Sequence, residues 1–385
     1  MKNIYLDYAA STPVDPRALR AMEPYFAKQF GNPGSLHSFG QEAIAAIDAS
    51  RETLAKILRV GFREIIFTGS ATEANNLALR GALAGFRARG AHAHAKARII
   101  VSAIEHESII ETARDLEREG AEVIYLPVDE RGTVNMNALE RYLDEKTAIV
   151  SVMYANNEIG CVQPIAEIAK FVNGRALFHT DAAQAFQFFT CEPGAAGPDL
   201  MTLSSHKVYG PKGAGALYIK EGALRGATLP PIITGGGQEF GLRSGTENVP
   251  AIVGFAKAAE LAARARAKES VRLGVLKSRL WAGIKNGVPH AEINGSLEDS
   301  LPNILNVYVP GHSAEDMLTK LDLAGVAASS GSACRARALE ASYVIEALDY
   351  SAERAKSSIR FSLGRPTTKS EIDAAVKLFK KAVVL

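Results

Sequence analysis

Four short runs of this sequence each end in a residue able to do chemistry. Ser204-Ser205-His206-Lys207 closes an apolar stretch and leads into the turn Val208-Tyr209-Gly210-Pro211-Lys212-Gly213, so Lys207 falls where a strand gives way to a loop. A lysine sheltered there has the neutral form of its amine favoured, which imine formation needs. Ala176-Leu177-Phe178-His179-Thr180-Asp181 ends in an acid, and Gln184 follows one helical turn later. Ile99-Ile100-Val101-Ser102-Ala103-Ile104-Glu105-His106 brings a histidine to the end of a third run, where an aromatic ring can lie on another ring and move protons. Phe67-Thr68-Gly69-Ser70-Ala71-Thr72 turns from a β run through small residues into a helix whose first N–H groups, at Ala71 and Thr72, suit an anion.

Lysine, facing acid, phosphate cradle and stacking ring are together what pyridoxal phosphate requires. A close charge pair at an effective dielectric of about 20 is worth roughly 4 kcal/mol, so a buried Asp181 can keep a pyridine nitrogen protonated.

These residues need a sheet to gather them. Ile65–Thr68, Arg98–Ser102, 122–128, 148–153, 176–180, 200–203 and 214–219 read as strands alternating with helices, which predicts an α/β domain with a mainly parallel mixed sheet. Ile44, Ile47, Leu54, Ile57 and Leu58 share one helical face. A Gly-rich stretch, 234–245, precedes an Ala-rich helix over about 250–281. Beyond it a strand at 303–309, a helix capped by Ser313, a loop holding Cys334, a helical run at 343–348, a strand at 358–362 and a final helix from about Ser370 make a smaller α+β domain. The expected division is a large domain over 16–260 and a small one over 261–385, with 1–15 packing against the latter.

The chain has 385 residues, is 47% hydrophobic and carries a formal net charge of +2, so no global field draws it to nucleic acid or to a membrane. With no apolar segment of membrane-crossing length and no leader-like start, a cytoplasmic location is expected. Its three cysteines have no metal-ligand spacing and cannot all pair, and His92 and His94 lack further ligands nearby, so no metal site is expected.

With these pieces in order, the chain resembles the cysteine desulfurases of the NifS/IscS type, within the class V aminotransferase group of fold-type I pyridoxal phosphate enzymes. The likeness runs through Tyr5 to Pro13, Gly31-Asn32-Pro33, Ala71-Thr72-Glu73, Glu105-His106, Asn156-Asn157-Glu158-Ile159-Gly160, Asp181, Ser204 to Gly213, Arg243 to Thr246, Ser329 to Cys334 and Ser358 to Ser362. It implies that Lys207 is the Schiff-base lysine, Asp181 the pyridinium partner, His106 the stacking acid/base and Gln184 the ring-hydroxyl partner. Ala71, Thr72, Ser204 and His206 match phosphate contacts. Thr246 matches a residue lent to the phosphate by a second subunit, which implies a homodimer. Asn156 and Arg360 match the groups that grip the substrate carboxylate.

Cys334, in a run of small polar residues, has the setting of a mobile thiol. The resemblance implies that L-cysteine's amine displaces Lys207, proton shifts weaken the Cβ–S bond, and the Cys334 thiolate takes the sulfur. L-Alanine leaves and a persulfide stays for a sulfur-acceptor protein, as in iron–sulfur cluster assembly. Cys161 and Cys191 are expected to be inert. Selenocysteine lyase is the enzymatic rival, and a non-catalytic sulfur-relay or scaffold protein the rival from another class. Phe240 stands where relatives generally carry a basic residue, and Arg335-Ala336-Arg337 where small hydroxylated residues are usual. The chain ends at Leu385, short of the tail with which the IscS branch docks its scaffold, so a shorter NifS-like form is expected.

Overall fold

The computed structural model describes residues 3–88, 96–222, 229–331 and 341–384. Its strands are β1 (Ile4–Tyr5), β2 (Ile65–Thr68), β3 (Arg98–Ser102), β4 (Glu122–Leu126), β5 (Thr147–Ser151), β6 (Leu177–Asp181), β7 (Leu200–Ser204), β8 (Gly215–Ile219), β9 (Glu292–Ile293), β10 (Ile304–Tyr308), β11 (Val326–Ala327) and β12 (Ser358–Ser362). Seven form the central sheet in the order β2-β8-β7-β6-β5-β3-β4. β8 runs antiparallel to both neighbours and every other pairing is parallel, so the expected mixed, mainly parallel α/β sheet is present. β5, β6, β7 and β8 are buried along their whole length, which is why they read as unbroken apolar runs rather than alternating ones.

Parallel β2, β3, β5, β6 and β7 share one direction, so the residues that follow them collect at a single edge. Helices cover both faces. The helix Ser38–Leu58 buries Ala43, Ile47, Leu54 and Leu58, one side of a 3.6-residue repeat, and stops at Arg59 in the left-handed conformation (φ 57°). The 39-residue helix Val249–Gly287, about 58 Å at 1.5 Å per residue, links the two sheets. Its first half packs Ile252, Phe255 and Ala259 into the core beside the helices Pro16–Met22 and Ser38–Leu58. Its second half sets Leu276, Leu280 and Ile284 against the C-terminal helix Lys369–Val384, close enough that a Cβ on Gly283 would meet Val376 at 2.7 Å.

The second sheet is antiparallel, in the order β12-β10-β9. The N-terminal strand β1 pairs in parallel with β11, and Asp7 bridges to Ser362 at the end of β12. Among the described residues, no helix is long and apolar enough to cross a membrane.

Candidate active site

A cavity of about 220 Å³ opens where the parallel strands end, and most of its walls come from connections at that edge. The helix start at Ser70, Ala71 and Thr72 follows β2; His106 and Ser108 follow β3; Met153, Ala155 and Asn157 follow β5. Asp181 to Gln184 follow β6, and Ser204, His206 and Lys207 follow β7. Ala9, Ala10 and Arg360 close the far side.

Asp181 is buried at the end of β6, where Oδ1 accepts from the Ala183 N–H at 2.9 Å and Oδ2 from Asn75 Nδ2 at 2.8 Å. The second hydrogen of that amide goes to Ser108 Oγ, 2.8 Å away. Ser108 in turn lies 2.9 Å from His106 Nδ1. His106 is the N-cap of the helix Glu107–Arg118, and its Nδ1 also accepts the Ser108 N–H at 3.1 Å. Burial pulls the His106 pKa down, the Asp181 charge opposes this, and the Lys207 charge adds to it.

Across the cavity, Ser70 Oγ takes the Glu73 N–H at 3.1 Å, while Glu73 reaches back to the Gly69 N–H at 2.9 Å and pairs with Arg243 at 2.7 Å. Those contacts fix the helix start but leave the Ala71 and Thr72 amides without a hydrogen-bond acceptor among the described residues. Glycine at 215 makes this possible, because a Cβ there would lie 2.9 Å from the Ala71 nitrogen. His206, at the same end, is held near a pKa of about 4 by burial, with Lys207, Lys212 and His106 adding to the effect, so its ring is neutral at pH 7.

Lys207 Nζ donates to the carbonyls of Ala9 (2.5 Å) and Ala10 (2.9 Å), and Gln184 Nε2 shares the Ala9 oxygen at 3.0 Å. Thr12 extends the seam by donating its N–H and its hydroxyl to the His206 carbonyl. Arg360 is 1% exposed. Its guanidinium is held by Asp7 at 2.7 Å and the Asn157 carbonyl at 2.9 Å, contacts that leave Nε and further N–H groups uncommitted among the described residues.

Of the two asparagines in the Asn156 to Gly160 turn, the expected one, Asn156, does not reach the cavity. Its Nδ2 donates to the Ile104 carbonyl and its Oδ1 accepts the N–H groups of Glu158 and Ile159, so the amide serves as the scaffold of the turn. Asn157 is the neighbour that lines the cavity, with no hydrogen bond on its own amide among the described residues. Thr246 is exposed and forms no part of this cavity. The segment before it is pinned by a buried pair, Arg51 with Glu239, at 2.6 Å. Glu239 and Phe240 both take left-handed backbone there (φ 50° and 59°), and the Phe240 ring stacks over the Arg51 and Arg63 guanidinium groups.

Cys334, Arg335 and Arg337 lie outside the described residues, as do His92 and His94. The strand end leading toward Cys334 is described: Ser329 exchanges backbone hydrogen bonds with Arg360 at 3.1 and 2.6 Å. Glu158, in the Asn157 turn, accepts from the Ser342 hydroxyl at 2.6 Å. Cys161 and Cys191 are buried, and burial pushes both thiols up to about 12, which keeps them protonated and unreactive as expected.

Sequence reasoning did not find Asn75, Ser108, Asp7 or Asn157. The first three act through partners far away in the chain. The signal for Asn157 was its place beside Asn156, and only the path of the turn separates the two.

The fold agrees with known proteins. Cysteine desulfurase IscS 1 of Archaeoglobus fulgidus is 42% identical over 374 residues, covering 97% of this chain and 95% of the relative. The solved structure of a NifS-like protein superposes with a TM-score of 0.91 at 36% identity, covering 99% of each chain. A structure described as SspA in complex with cysteine gives a TM-score of 0.80 at 34% identity over 94% of this chain and 98% of that one. The family model for class-V aminotransferases matches residues 4–375, nearly everything from β1 to the C-terminal helix, and the chain belongs to that family.

Proposed function

We propose that this protein is a cysteine desulfurase that takes sulfur from L-cysteine with the help of pyridoxal phosphate and passes it to an acceptor protein, as for iron–sulfur cluster assembly. One observation carries the reading. A single cavity joins an amine (Lys207), a buried carboxylate (Asp181) and a neutral-leaning imidazole (His106) to a buried arginine (Arg360) and a spare amide (Asn157), in a chain whose relatives bear that name.

The residues fit the cofactor. The Ala71 and Thr72 amides, with Ser204 and His206, would hold its phosphate, Asp181 would partner its ring nitrogen, Gln184 its ring hydroxyl, and Lys207 would supply the amine that holds it. Bound there, pyridoxal phosphate supplies an electron sink that lowers the cost of breaking bonds at an amino acid's α and β carbons. Arg360 and Asn157 grip the substrate carboxylate, since a buried guanidinium with N–H groups to spare is suited to such a partner. Lys207 and His106 move protons at the cavity wall.

Cys334 is the sulfur acceptor. Its thiolate attacks the substrate sulfur, an S–S bond forms, the Cβ–S bond breaks with its electron pair left on carbon, and a proton completes L-alanine. A second copy of the chain covers the exposed apolar run Phe26, Phe30, Leu36 and Phe39 and receives Thr246 at its phosphate site.

Mass spectrometry after incubation with L-cysteine tests the proposal. One added sulfur on Cys334, matched by alanine in solution, is the expected result. Unchanged cysteine turnover in Cys334→Ala would reject the mechanism.

A further inference from the structure

We infer that Asn75 and Ser108 are positioning residues that lock His106 in the tautomer carrying its hydrogen on Nε2, so that the ring presents a donor to the cavity. The inference rests on the cavity reading above, and it concerns groups that neither the motifs nor the family likeness singled out.

The direction of each hydrogen bond is forced from the Asp181 end. Ionised Asp181 can only accept, so the Asn75 amide must turn its nitrogen toward it; the reverse orientation would set a carbonyl oxygen against a carboxylate. With that orientation the other Nδ2 hydrogen faces Ser108, and Ser108 Oγ is the acceptor. The serine's single hydrogen is then free to point at His106 Nδ1, 2.9 Å away. The same ring nitrogen already takes the Ser108 N–H as part of the helix cap.

Two donors therefore converge on Nδ1. A hydrogen on Nδ1 would face the Ser108 N–H directly, and no rotation removes a backbone hydrogen. The neutral ring must carry its proton on Nε2, which has no hydrogen-bond partner among the described residues. This orientation leaves Asn75 Oδ1 buried with no hydrogen-bond partner among the described residues, a smaller cost than setting that oxygen against the Asp181 carboxylate. The charged and titratable groups acting on the ring are Asp181, Lys207, Glu107 and His206; none of them touches Nδ1.

Imidazole-labelled ¹⁵N NMR of the holoenzyme, with His106 assigned from its loss in His106→Gln, reads the tautomer without reference to turnover. Wild type is expected to show Nδ1 in the unprotonated range and Nε2 in the protonated range. Ser108→Ala removes the hydroxyl donor and keeps the backbone one. The tautomer ratio should fall about 5–10-fold, the worth of one neutral hydrogen bond, and the acid limb of the kcat/KM profile should move up by less than about one pH unit. Asn75→Ala frees the serine hydroxyl to turn toward Asp181 and should shift both readings the same way, whereas Ser108→Thr should restore them.

A wild-type spectrum with the hydrogen on Nδ1 overturns the inference, whatever becomes of the variants. Unchanged tautomer and acid limb in both alanine variants overturn it as well. The expected spectrum in a protein that fails to release alanine from cysteine would support the lock while removing the proposed reaction.

Discussion

At the N-terminal edge of the central sheet lies a second hollow, of about 450 Å³, walled in part by Phe86, Val172, Arg175, Phe178, Asp199 and Lys220. The cavity at the opposite edge is about 220 Å³. The larger space holds charged residues, yet nothing there is arranged to work on a small molecule. The helices Ile165–Val172 and Pro193–Ala196 end at this edge, at Asn173 and Gly197, and so turn the negative, carbonyl ends of their backbones toward it. Its lysine is half exposed and sits 3.6 Å from Asp199, an ordinary surface pair. At the other edge helices begin, at Ala71 and Glu107, and the first of them brings the Ala71 and Thr72 N–H groups, which lack acceptors among the described residues. Strand direction, more than volume, separates a reactive edge from a scaffold edge.

Three measurements press on that contrast. Lys207→Ala removes the amine on which the proposed chemistry turns. Alanine release from cysteine should drop on the order of 10³-fold or more, and a drop below tenfold would cancel the distinction between the edges.

Glu105 gives a smaller effect. It is fully buried, accepts from Ser102 Oγ and the Met153 N–H through Oε1, and has no partner for Oε2 among the described residues. Burial, helped by the Asp181 charge, pushes its pKa up to about 8 from an ordinary 4.5. The folded protein then keeps a proton that the unfolded chain gives up near 4.5. This stabilisation is complete below that pH and is lost as pH rises to about 8, at up to about 1.4 kcal/mol per pH unit. Denaturant titrations of wild type and Glu105→Gln across pH 5 to 8 should show the slope flattened in the variant. Parallel slopes would mean that the reactive edge stores no such strain.

The smallest change is expected from Arg175→Ala combined with Lys220→Ala, at the scaffold edge. Turnover should stay within about twofold and stability within about 1 kcal/mol. A loss of turnover comparable to that of Lys207→Ala would show that the two hollows are functionally joined.

The strands of the main sheet were readable in the sequence to within two residues because all but the edge strand β4 are buried on both faces over nearly their whole length, so that they stand out as apolar runs such as Ile99-Ile100-Val101. Lys207, Asp181, His106 and the Ala71 helix start were readable for a related reason, since each closes such a run and strand ends are where α/β proteins gather their chemistry. The sequence pointed to Asn156 where Asn157 lines the cavity, because side-chain direction in a tight turn depends on which amide the turn itself consumes, and that is set by contacts with Ile104, Glu158 and Ile159. Asn75 and Ser108 were unreadable because each looks like routine helix polarity until Asp181, 106 positions from Asn75, is brought against it.

The seam by which Ala9 and Ala10 receive the Lys207 amine, and Asp7 receives Arg360, has a consequence for biosynthesis. The residues around position 9 can take their final positions only once residues 207 and 360 have both been made, so this wall of the cavity cannot close while the chain is still short of residue 360. A chain cut before that point would form its main sheet around a cavity with one side open.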